Sequence, residues 1–502
     1  INLENAEIVD NGGSGILLAE NTGNVRFGNV DLKNSTTSAI DIQGGTGVRE
    51  FTKTTTIVNS AGPGINIENA QGQTHFNQVG IAQSNGSQGI SSMNSATTTS
   101  FSNLNVSTVG ATSVFARAGG ELGIFSGNIS ATNGSAFDVE NTNLGVDITS
   151  LSSTNATTGV RIIDGKGVFL VRGSGTEGSG GRITGATTAI QVQNFDSFGV
   201  QGMILDGNTN GVMASNTGQV VFYSGEVANT TNRAFDLSNV RQFELFTSNI
   251  HDNGGNDVFA QFDKKDDYSY TITNSIFDNK ATSPIVLNTL ASAADSTLSL
   301  NLSTNIFRME AAGSQAADID WNGVLVGAVQ GNVITGTGDS SSGFNIATAS
   351  TTELTQIAIA SNQFTFEGAN STAIAITTAG PSEIGVGQNQ VVFNGASGVG
   401  ANFNIGAAST INIVGNSITD NVSRGTGLLF SSIAGTSTVT INNNNIQLLS
   451  TDSLVDRGIV FNSVTGDVEL KGTQNNIING ATTPFSAVGT MGSIIVNGVT
   501  VP

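Results

Sequence analysis

A short phrase recurs along most of this chain and constrains its fold more than any other feature of the sequence. The phrase is a small residue, then alternating apolar residues, then a turn rich in Asn and Gly. Copies begin at Gly15, Ala39, Gly64, Gly89, Ala136, Gly159, Ala189, Gly211, Ala234, Gly343, Ala373, Gly427 and Gly458. The first copies lie about 23 to 25 residues apart, which is the period of a solenoid rather than of a globular enzyme.

Each repeat contains three short apolar alternations. In the coil of residues 15 to 42 they are Ile16 to Leu18, Val25 to Phe27 and Val30 to Leu32. Strands this short cannot pair within one coil, so we expect each to pair with the equivalent strand of the coils before and after it. The sequence therefore predicts an all-β fold, a right-handed parallel β-helix of about nineteen coils with three short strands per coil.

Most of the bends between the second and third strands contain Asn. Asn tolerates the left-handed backbone of a sharp bend, and stacked Asn side chains can hydrogen-bond along the solenoid. We predict such a ladder from Asn29, Asn103, Asn128, Asn249, Asn274, Asn332, Asn362, Asn389, Asn416 and Asn444. The inward positions carry aliphatic residues and Phe, which brings no polar group into the core.

With these features the chain resembles pectate-lyase-like right-handed β-helices, and especially the repeat regions of large bacterial surface proteins of the autotransporter and planctomycete types. The resemblance extends over essentially all of the sequence. It implies the fold and an extracellular place at the bacterial cell surface. It implies no particular activity, because this fold serves lyases, hydrolases, adhesins and structural proteins.

Composition limits the classes of partner and site that this chain can have. The 18 basic and 38 acidic residues give a formal net charge of −20, which disfavours nucleic acid and anionic membranes. The absence of Cys excludes thiolate metal sites, and no apolar run is long enough to span a bilayer. Because the sequence opens on Ile1, we expect a processed or partial chain whose targeting signal lies upstream.

The repeat changes style once. We predict regular short coils for residues 1–260, a charged loop for 261–270 and longer coils for 271–502, all within a single continuous solenoid. The candidate interaction residues are Asp263, Lys264, Lys265, Asp266, Asp267, Tyr268, Tyr270 and Trp321. For the loop, a recognition or protomer-interface role stays open beside a solvated turn, which we favour. For Trp321, a sugar-stacking role stays open beside a core or interface position, which we favour.

A search for chemistry finds no catalytic, cofactor-binding or metal residues. Glycoside hydrolysis on this fold needs carboxylates from adjacent coils at a fixed separation. Asp41, Asp138 and Asp236 share a strand position but not adjacent coils, so we interpret them as solvent-exposed. The densest acidic cluster is Asp252, Asp257, Asp263, Asp266 and Asp267. Such turns can bind Ca²⁺, but no repetitive calcium-binding nonapeptide is present.

Three functions follow in order of preference. The first is a non-enzymatic extracellular structural protein, a rod-like subunit or shaft of a bacterial surface fibre that assembles end to end with copies of itself or with adjoining segments. Neither end of the sequence shows a helical cap, which favours this hypothesis. The second is an adhesin or glycan-binding passenger that uses segments 261–270 and 308–321. The third is a polysaccharide lyase or hydrolase.

Overall fold

The computed structural model describes residues 1–448, 456–472, 476–487, 494–496 and 499–501. The chain divides into two compact units, Ile1–Val240 and Arg241–Pro502. Both units are right-handed parallel β-solenoids, and together they contain about 18 turns. The predicted all-β fold is confirmed. Among the described residues, helix is limited to one 3₁₀ turn, Ala291–Ala293.

The strands of the first unit pair in parallel with their equivalents one coil away. They are β1 Asn2–Val9, β2 Ile16–Ala19, β3 Val25–Lys33, β4 Ile40–Gln43, β5 Val48–Val58, β6 Ile65–Glu68, β7 Gln71–Gln83, β8 Ile90–Met93, β9 Ala96–Val109, β10 Val114–Ile124, β11 Gly127–Thr132, β12 Phe137–Ile148, β13 Ser150–Thr154, β14 Thr158–Ile163, β15 Gly167–Val171, β16 Gly181–Thr184, β17 Thr188–Gln193, β18 Ser197–Gln201, β19 Met203–Asp206, β20 Asn210–Ser215, β21 Gln219–Tyr223, β22 Glu226–Ala228 and β23 Phe235–Ser238.

The second unit repeats this arrangement and ends in one antiparallel pair, β51 with β52. Its strands are β24 Gln242–Phe246, β25 Asn249–His251, β26 Val258–Phe262, β27 Asp267–Thr273, β28 Ile276–Asn279, β29 Ile285–Thr289, β30 Ser296–Ser303, β31 Ile306–Met309, β32 Gln315–Trp321, β33 Gly323–Gln330, β34 Val333–Gly336, β35 Ser342–Thr348, β36 Thr355–Ala360, β37 Gln363–Phe366, β38 Thr372–Thr378, β39 Ser382–Gly387, β40 Gln390–Phe393, β41 Val399–Ile405, β42 Ser409–Val414, β43 Ser417–Asp420, β44 Thr426–Ile433, β45 Ser437–Asn442, β46 Asn445–Leu448, β47 Arg457–Phe461, β48 Val468–Lys471, β49 Ile477–Asn479, β50 Thr483–Ala487, β51 Ile494–Val496 and β52 Val499–Val501.

The core of each unit is a set of columns in which one side chain stacks on its equivalent in the next coil. In the first unit, Phe27, Phe51, Phe76 and Phe101 stack with ring-centroid distances of 4.7, 4.4 and 5.0 Å. These side chains are buried because alternate residues of a strand point to opposite faces of the sheet. The apolar alternation in the sequence therefore becomes a continuous column of rings, as predicted.

Coil length differs between the units. In the first unit, hydrogen-bonded equivalents lie 22 to 25 residues apart in most coils and 30 residues apart across the coil that holds the Gly-rich segment 173–182. In the second unit the corresponding separations are 26 to 32 residues. The extra residues lie in turns, so strand pairing continues through each unit.

Candidate functional site

The predicted charged loop 261–270 is a four-residue turn between two strands. Strand β26 ends at Phe262 and β27 begins at Asp267. Arg241 Nε donates to Asp266 Oδ2 at 2.6 Å, and Lys265 Nζ lies 3.5 Å from Asp295 Oδ2. The expectation of one ten-residue loop is thus wrong, because residues 267–270 continue the strand alternation that buries both tyrosines. The charged side chains that remain exposed here are Asp263, Lys264, Lys265 and Asp267.

The aromatic residues near this turn belong to the core. Tyr268, Tyr270 and Trp321 are buried. The ring of Phe262 lies 4.5 Å from that of Tyr268 and 5.1 Å from that of Trp321, in edge-to-face geometry. Tyr268 Oη donates to the carbonyl of Lys264 at 2.7 Å, and Trp321 Nε1 donates to the carbonyl of Ser296 at 3.3 Å. A sugar-stacking role for Trp321 is excluded by this burial, and the core interpretation is correct.

Half of the predicted Asn ladder exists, and it lies inside the second unit. From Asn305 to Asn444, each member donates from its amide nitrogen to the next member and to a backbone carbonyl of the preceding coil, while its amide oxygen accepts a backbone N–H of that coil. Asn362, for example, donates to Asn389 Oδ1 at 3.0 Å and to the Val329 carbonyl at 2.9 Å. The predicted members that take part are Asn332, Asn362, Asn389, Asn416 and Asn444, and the prediction missed Asn305 and Asn476.

The other five predicted Asn residues face outward and do not join this ladder. Asn29, Asn128 and Asn274 are exposed, and Asn103 and Asn249 are half-buried. In the second unit, the inward positions before Asn305 are Ser248 and Ser275, and the backbone N–H of Ser275 donates to Asn305 Oδ1 at 3.0 Å.

A phase rule would have separated the two groups. Ladder members precede a buried apolar residue by two positions, as Asn332 precedes Ile334, and therefore point inward with it. Asn29, Asn103, Asn128 and Asn249 stand directly before the buried residue, and their side chains point to the opposite face.

The acidic residues fall into different environments. Asp252 lies at a left-handed turn position and accepts from His251 Nδ1 at 2.9 Å, and Lys280 Nζ lies 3.1 Å from its other oxygen. Asp257 is fully buried, and burial raises its pKa to about 7 against hydrogen bonds from Asn253 and Asn279 that favour ionisation. The predicted acidic cluster is therefore one buried carboxyl group, one ion-paired turn, and a separate group at the 263–266 turn and the start of β27.

His251 shares a row with two charged side chains. Register pairs align it with Asp278 and then Arg308 on the next two coils. Arg308 Nη1 is 3.7 Å from Asp278 Oδ2. Across the described ranges, no three His, Cys, Asp or Glu side chains come together as metal ligands would.

A second charged group lies on the first unit. Asp138, which we interpreted as solvent-exposed, accepts from Arg117 Nη2 at 2.8 Å and from Arg161 Nη1 at 3.1 Å. Glu140 lies 3.5 Å from Arg117 Nε and 2.8 Å from Arg161 Nη2. The four side chains come from three successive coils, and 19 to 31% of each is exposed. This closed quartet holds neighbouring coils together and leaves no free carboxylate for general acid or base chemistry.

The first coil presents an open sheet edge. Strand β1 pairs with β3 through seven register positions, and β2 pairs with β4. No other described strand pairs with β1 or β2. Two apolar side chains of the inward column at this edge are exposed to an unusual degree, 81% for Ile1 and 46% for Leu3. An edge of this kind is a template on which one further parallel strand can pair with β1 and another with β2.

A shallow groove of about 410 Å³ crosses the outer faces of β5, β7, β9 and β11. Gly80 and Ala82 are among its lining residues. The lining also includes Thr56, Val58, Asn105, Ser107, Asn128 and Ser130, and none of the lining residues is charged. The exposed part of the lining is mostly apolar, so the groove suits an uncharged ligand better than an ion.

Comparison with known proteins adds no identity. No protein-family model, no curated protein and no solved structure matches this chain. Among the described residues, no helix has the length and apolarity that crossing a bilayer requires.

Proposed function

We propose that this chain is a non-enzymatic structural segment of an extracellular bacterial fibre, which assembles end to end through its solenoid coils. In this proposal it is a pectate-lyase-like β-helix of the kind found in autotransporter-type and planctomycete-type surface proteins. Its partner is a second copy or an adjoining solenoid segment, and it needs no cofactor.

The observation that carries the proposal is the pairing of equivalent strands from coil to coil, which continues up to β1 and leaves its other side without a described partner strand. Strand β1 offers unpaired backbone groups along Asn2–Val9 beside the exposed side chains of Ile1 and Leu3. Adding one coil there would pair this backbone and bury that apolar surface in the same way as the following coils do. The new backbone hydrogen bonds and the burial of apolar surface both lower the free energy of the associated state.

The internal columns support a mechanical role. Stacked rings, the buried Asn ladder and the Arg–carboxylate quartet each connect one coil to the next, and they are distributed along the units instead of gathering at a cleft. In a solenoid, stability is a sum of such nearest-neighbour terms. A chain built this way resists separation of its coils wherever the load falls.

The test is negative-stain electron microscopy of the purified chain over a concentration series, with and without Ca²⁺. We expect filaments whose length grows with concentration. Leu3→Lys places a charge among the apolar side chains of the open edge, so we expect it to shorten or abolish the filaments. Dispersed particles of single-chain length at all concentrations would rule out self-assembly by this segment.

Val9→Lys is the matched control. Val9 lies on the same strand and pairs with Lys33 on the outer face, so its variant adds the same charge outside the inward column of Leu3. We expect it to assemble as the unmodified chain does. Equal loss of filaments in both variants would mean that net charge, and not the β1 edge, governs association.

The uncharged groove favours a second candidate function, a glycan-binding adhesin. Sugar rings present apolar C–H faces as well as hydroxyl groups, and the lining offers aliphatic surface such as Val58 and Ala82 beside the hydroxyl of Ser107. The adhesive contact would then lie on β5, β7, β9 and β11 and not on the 263–266 turn. This candidate concerns the outer face, so it is compatible with assembly through the coil edge.

Binding to an array of neutral glycans tests this candidate. Ala82→Arg places a long charged side chain in the groove, and we expect it to abolish any glycan binding. Ala19→Arg makes the same change at an exposed position outside the groove lining and should leave binding intact. Equal binding by both variants would place the contact elsewhere.

A further inference from the structure

Arg49 is a fully buried cation that only carbonyl oxygens hold. Its Nη2 donates to the carbonyls of Gly44 at 2.9 Å and Gly45 at 3.1 Å, and its Nη1 donates to the carbonyl of Gln71 at 3.0 Å. Gly44 and Gly45 have φ of 63° and 75°, a left-handed turn that other residues adopt with strain. The guanidinium therefore clamps this turn to the next coil.

The charge of Arg49 has no counterion in the part of the chain that the structure describes. No carboxylate lies within ion-pair distance of its side chain, and its Nε has no hydrogen-bond partner. Burial lowers the pKa of Arg49, and no neighbouring acid offsets that effect. Because a guanidinium remains protonated in proteins, the chain keeps a positive charge in its interior at considerable cost.

A second unused donor lies one coil away in the same inward column. Register pairs align Arg49 with Thr74, and Thr74 with Thr99. Thr74 is fully buried and its Oγ1 has no hydrogen-bond partner among the described residues. Neighbouring strands are about 4.8 Å apart, so Arg49 and Thr74 occupy adjacent positions of one inward column, and each carries a buried donor without a partner.

We propose that Arg49 and Thr74 form a buried binding site for a monovalent anion of halide size. The anion accepts from Arg49 Nε–H and Thr74 Oγ1–H and neutralises the buried guanidinium. Chloride or bromide suits the site because one ion satisfies both donors and brings one negative charge. Sulfate and phosphate are larger and carry further oxygens that would need donors of their own.

The solution test is thermal unfolding of the full chain in bromide at constant ionic strength, with sulfate as the balancing salt. A ligand that binds only the folded state raises Tm with its concentration. We expect Thr74→Val, which removes the hydroxyl at nearly constant volume, to weaken the apparent bromide affinity at least tenfold. Thr74→Ser keeps the hydroxyl and should retain the bromide response.

Two buried threonines serve as controls, since each also has a buried Oγ1 without a partner. Thr99 is two coils from Arg49, and Thr55 lies between Val30 and Val79 in a different column. Thr99→Val and Thr55→Val should keep the full bromide response. A Tm response that is equal in the unmodified chain and in Thr74→Val would overturn the proposal.

Crystals grown or soaked in bromide give an independent readout. We expect an anomalous difference peak between Arg49 Nε and Thr74 Oγ1, and no such peak in Thr74→Val. Density for a water molecule without anomalous signal would mean that the two donors are merely hydrated, and the anion site would be excluded.

Discussion

Asn362 Oδ1 accepts two hydrogen bonds from Asn332, one from its backbone nitrogen at 3.0 Å and one from its side-chain nitrogen at 2.9 Å. Asn332 Nδ2 also donates to the carbonyl of Leu302 at 2.9 Å. A single buried side chain per coil thereby satisfies a backbone donor of the preceding coil, a backbone acceptor and another side chain. In such a connected network, removal of any one Asn side chain leaves hydrogen-bonding groups of both neighbouring coils without a partner.

Removing one member from the middle of the ladder should be strongly destabilising. In Asn389→Ala, the backbone N–H of Asn362 and the carbonyl of Ile359 lose their partners in the core. Each unpaired buried group costs about 1 to 3 kcal/mol, so we expect a loss of about 2 to 5 kcal/mol. Denaturant unfolding followed by circular dichroism measures it.

Asn128→Ala is the control for the ladder. Asn128 is exposed and bonds Asn105 Oδ1 at 2.9 Å on the outer face, where water replaces the lost partner. We expect a change within about 0.5 kcal/mol. A similar loss in both variants would show that burial of the ladder is not what makes it stabilising.

The ion-pair quartet of the first unit should matter more than an isolated surface pair. Arg161 bridges Asp138 and Glu140 and only 25% of its side chain is exposed, whereas 65% of the Arg172 side chain is exposed beside Asp147. We expect Arg161→Met to cost about 1 to 2 kcal/mol and Arg172→Met to have a much smaller effect, because solvent screens the exposed pair. Unfolding at low and high salt separates the two, and equal small effects would contradict the prediction.

Asp257 should make stability fall as pH rises. Burial raises the pKa of this carboxyl group to about 7 in the folded chain, above its ordinary value near 4. Between these two pH values the folded chain binds a proton that the unfolded chain releases, so the contribution of Asp257 to stability is fully present below about pH 4 and is lost towards pH 7. A shift of this size corresponds to about 4 kcal/mol at most.

Asp257→Asn removes this titration, because an amide stays neutral at all these pH values. We expect the variant to match the unmodified chain near pH 4 and to have a higher Tm above pH 7. Asp263→Asn, at an exposed turn position, should leave the pH profile unchanged. A pH profile that is the same for Asp257→Asn and the unmodified chain would contradict the prediction.

The single Trp makes the aromatic core measurable. Trp321 is buried against Phe262 and Tyr268, so its fluorescence should be blue-shifted from that of the unfolded chain and resistant to acrylamide quenching. Addition of glycans should leave the spectrum unchanged. Emission typical of an exposed indole, or a glycan-dependent shift, would show that Trp321 lies at the surface and would contradict the prediction.

The sequence was most informative where it was most repetitive. Apolar alternation such as Ile40-Asp41-Ile42 predicted the strands, their burial and their pairing across coils. The reason is that alternation places all the apolar side chains on one face of a strand, and only that face can form the core. The interior Asn ladder was only half predicted, since Asn332 and Asn29 look alike as bend residues and differ in their phase relative to the next buried side chain.

The prediction of a loop at 261–270 was wrong for a related reason. Its charges suggested a loop, but Tyr268 and Tyr270 follow the strand alternation and enter the core, so only residues 263–266 form the turn.

By itself, the sequence determined the parallel solenoid, its approximate number of coils and the composition of its core, since these depend on local alternation repeated at a fixed period. Only the tertiary structure decided which polar side chains meet. The quartet of Arg117, Asp138, Glu140 and Arg161, the burial of Asp257 and the alignment of Arg49 with Thr74 depend on the register between coils. Residues 20 to 30 positions apart become neighbours through that register, and small differences in turn length set which residues they are.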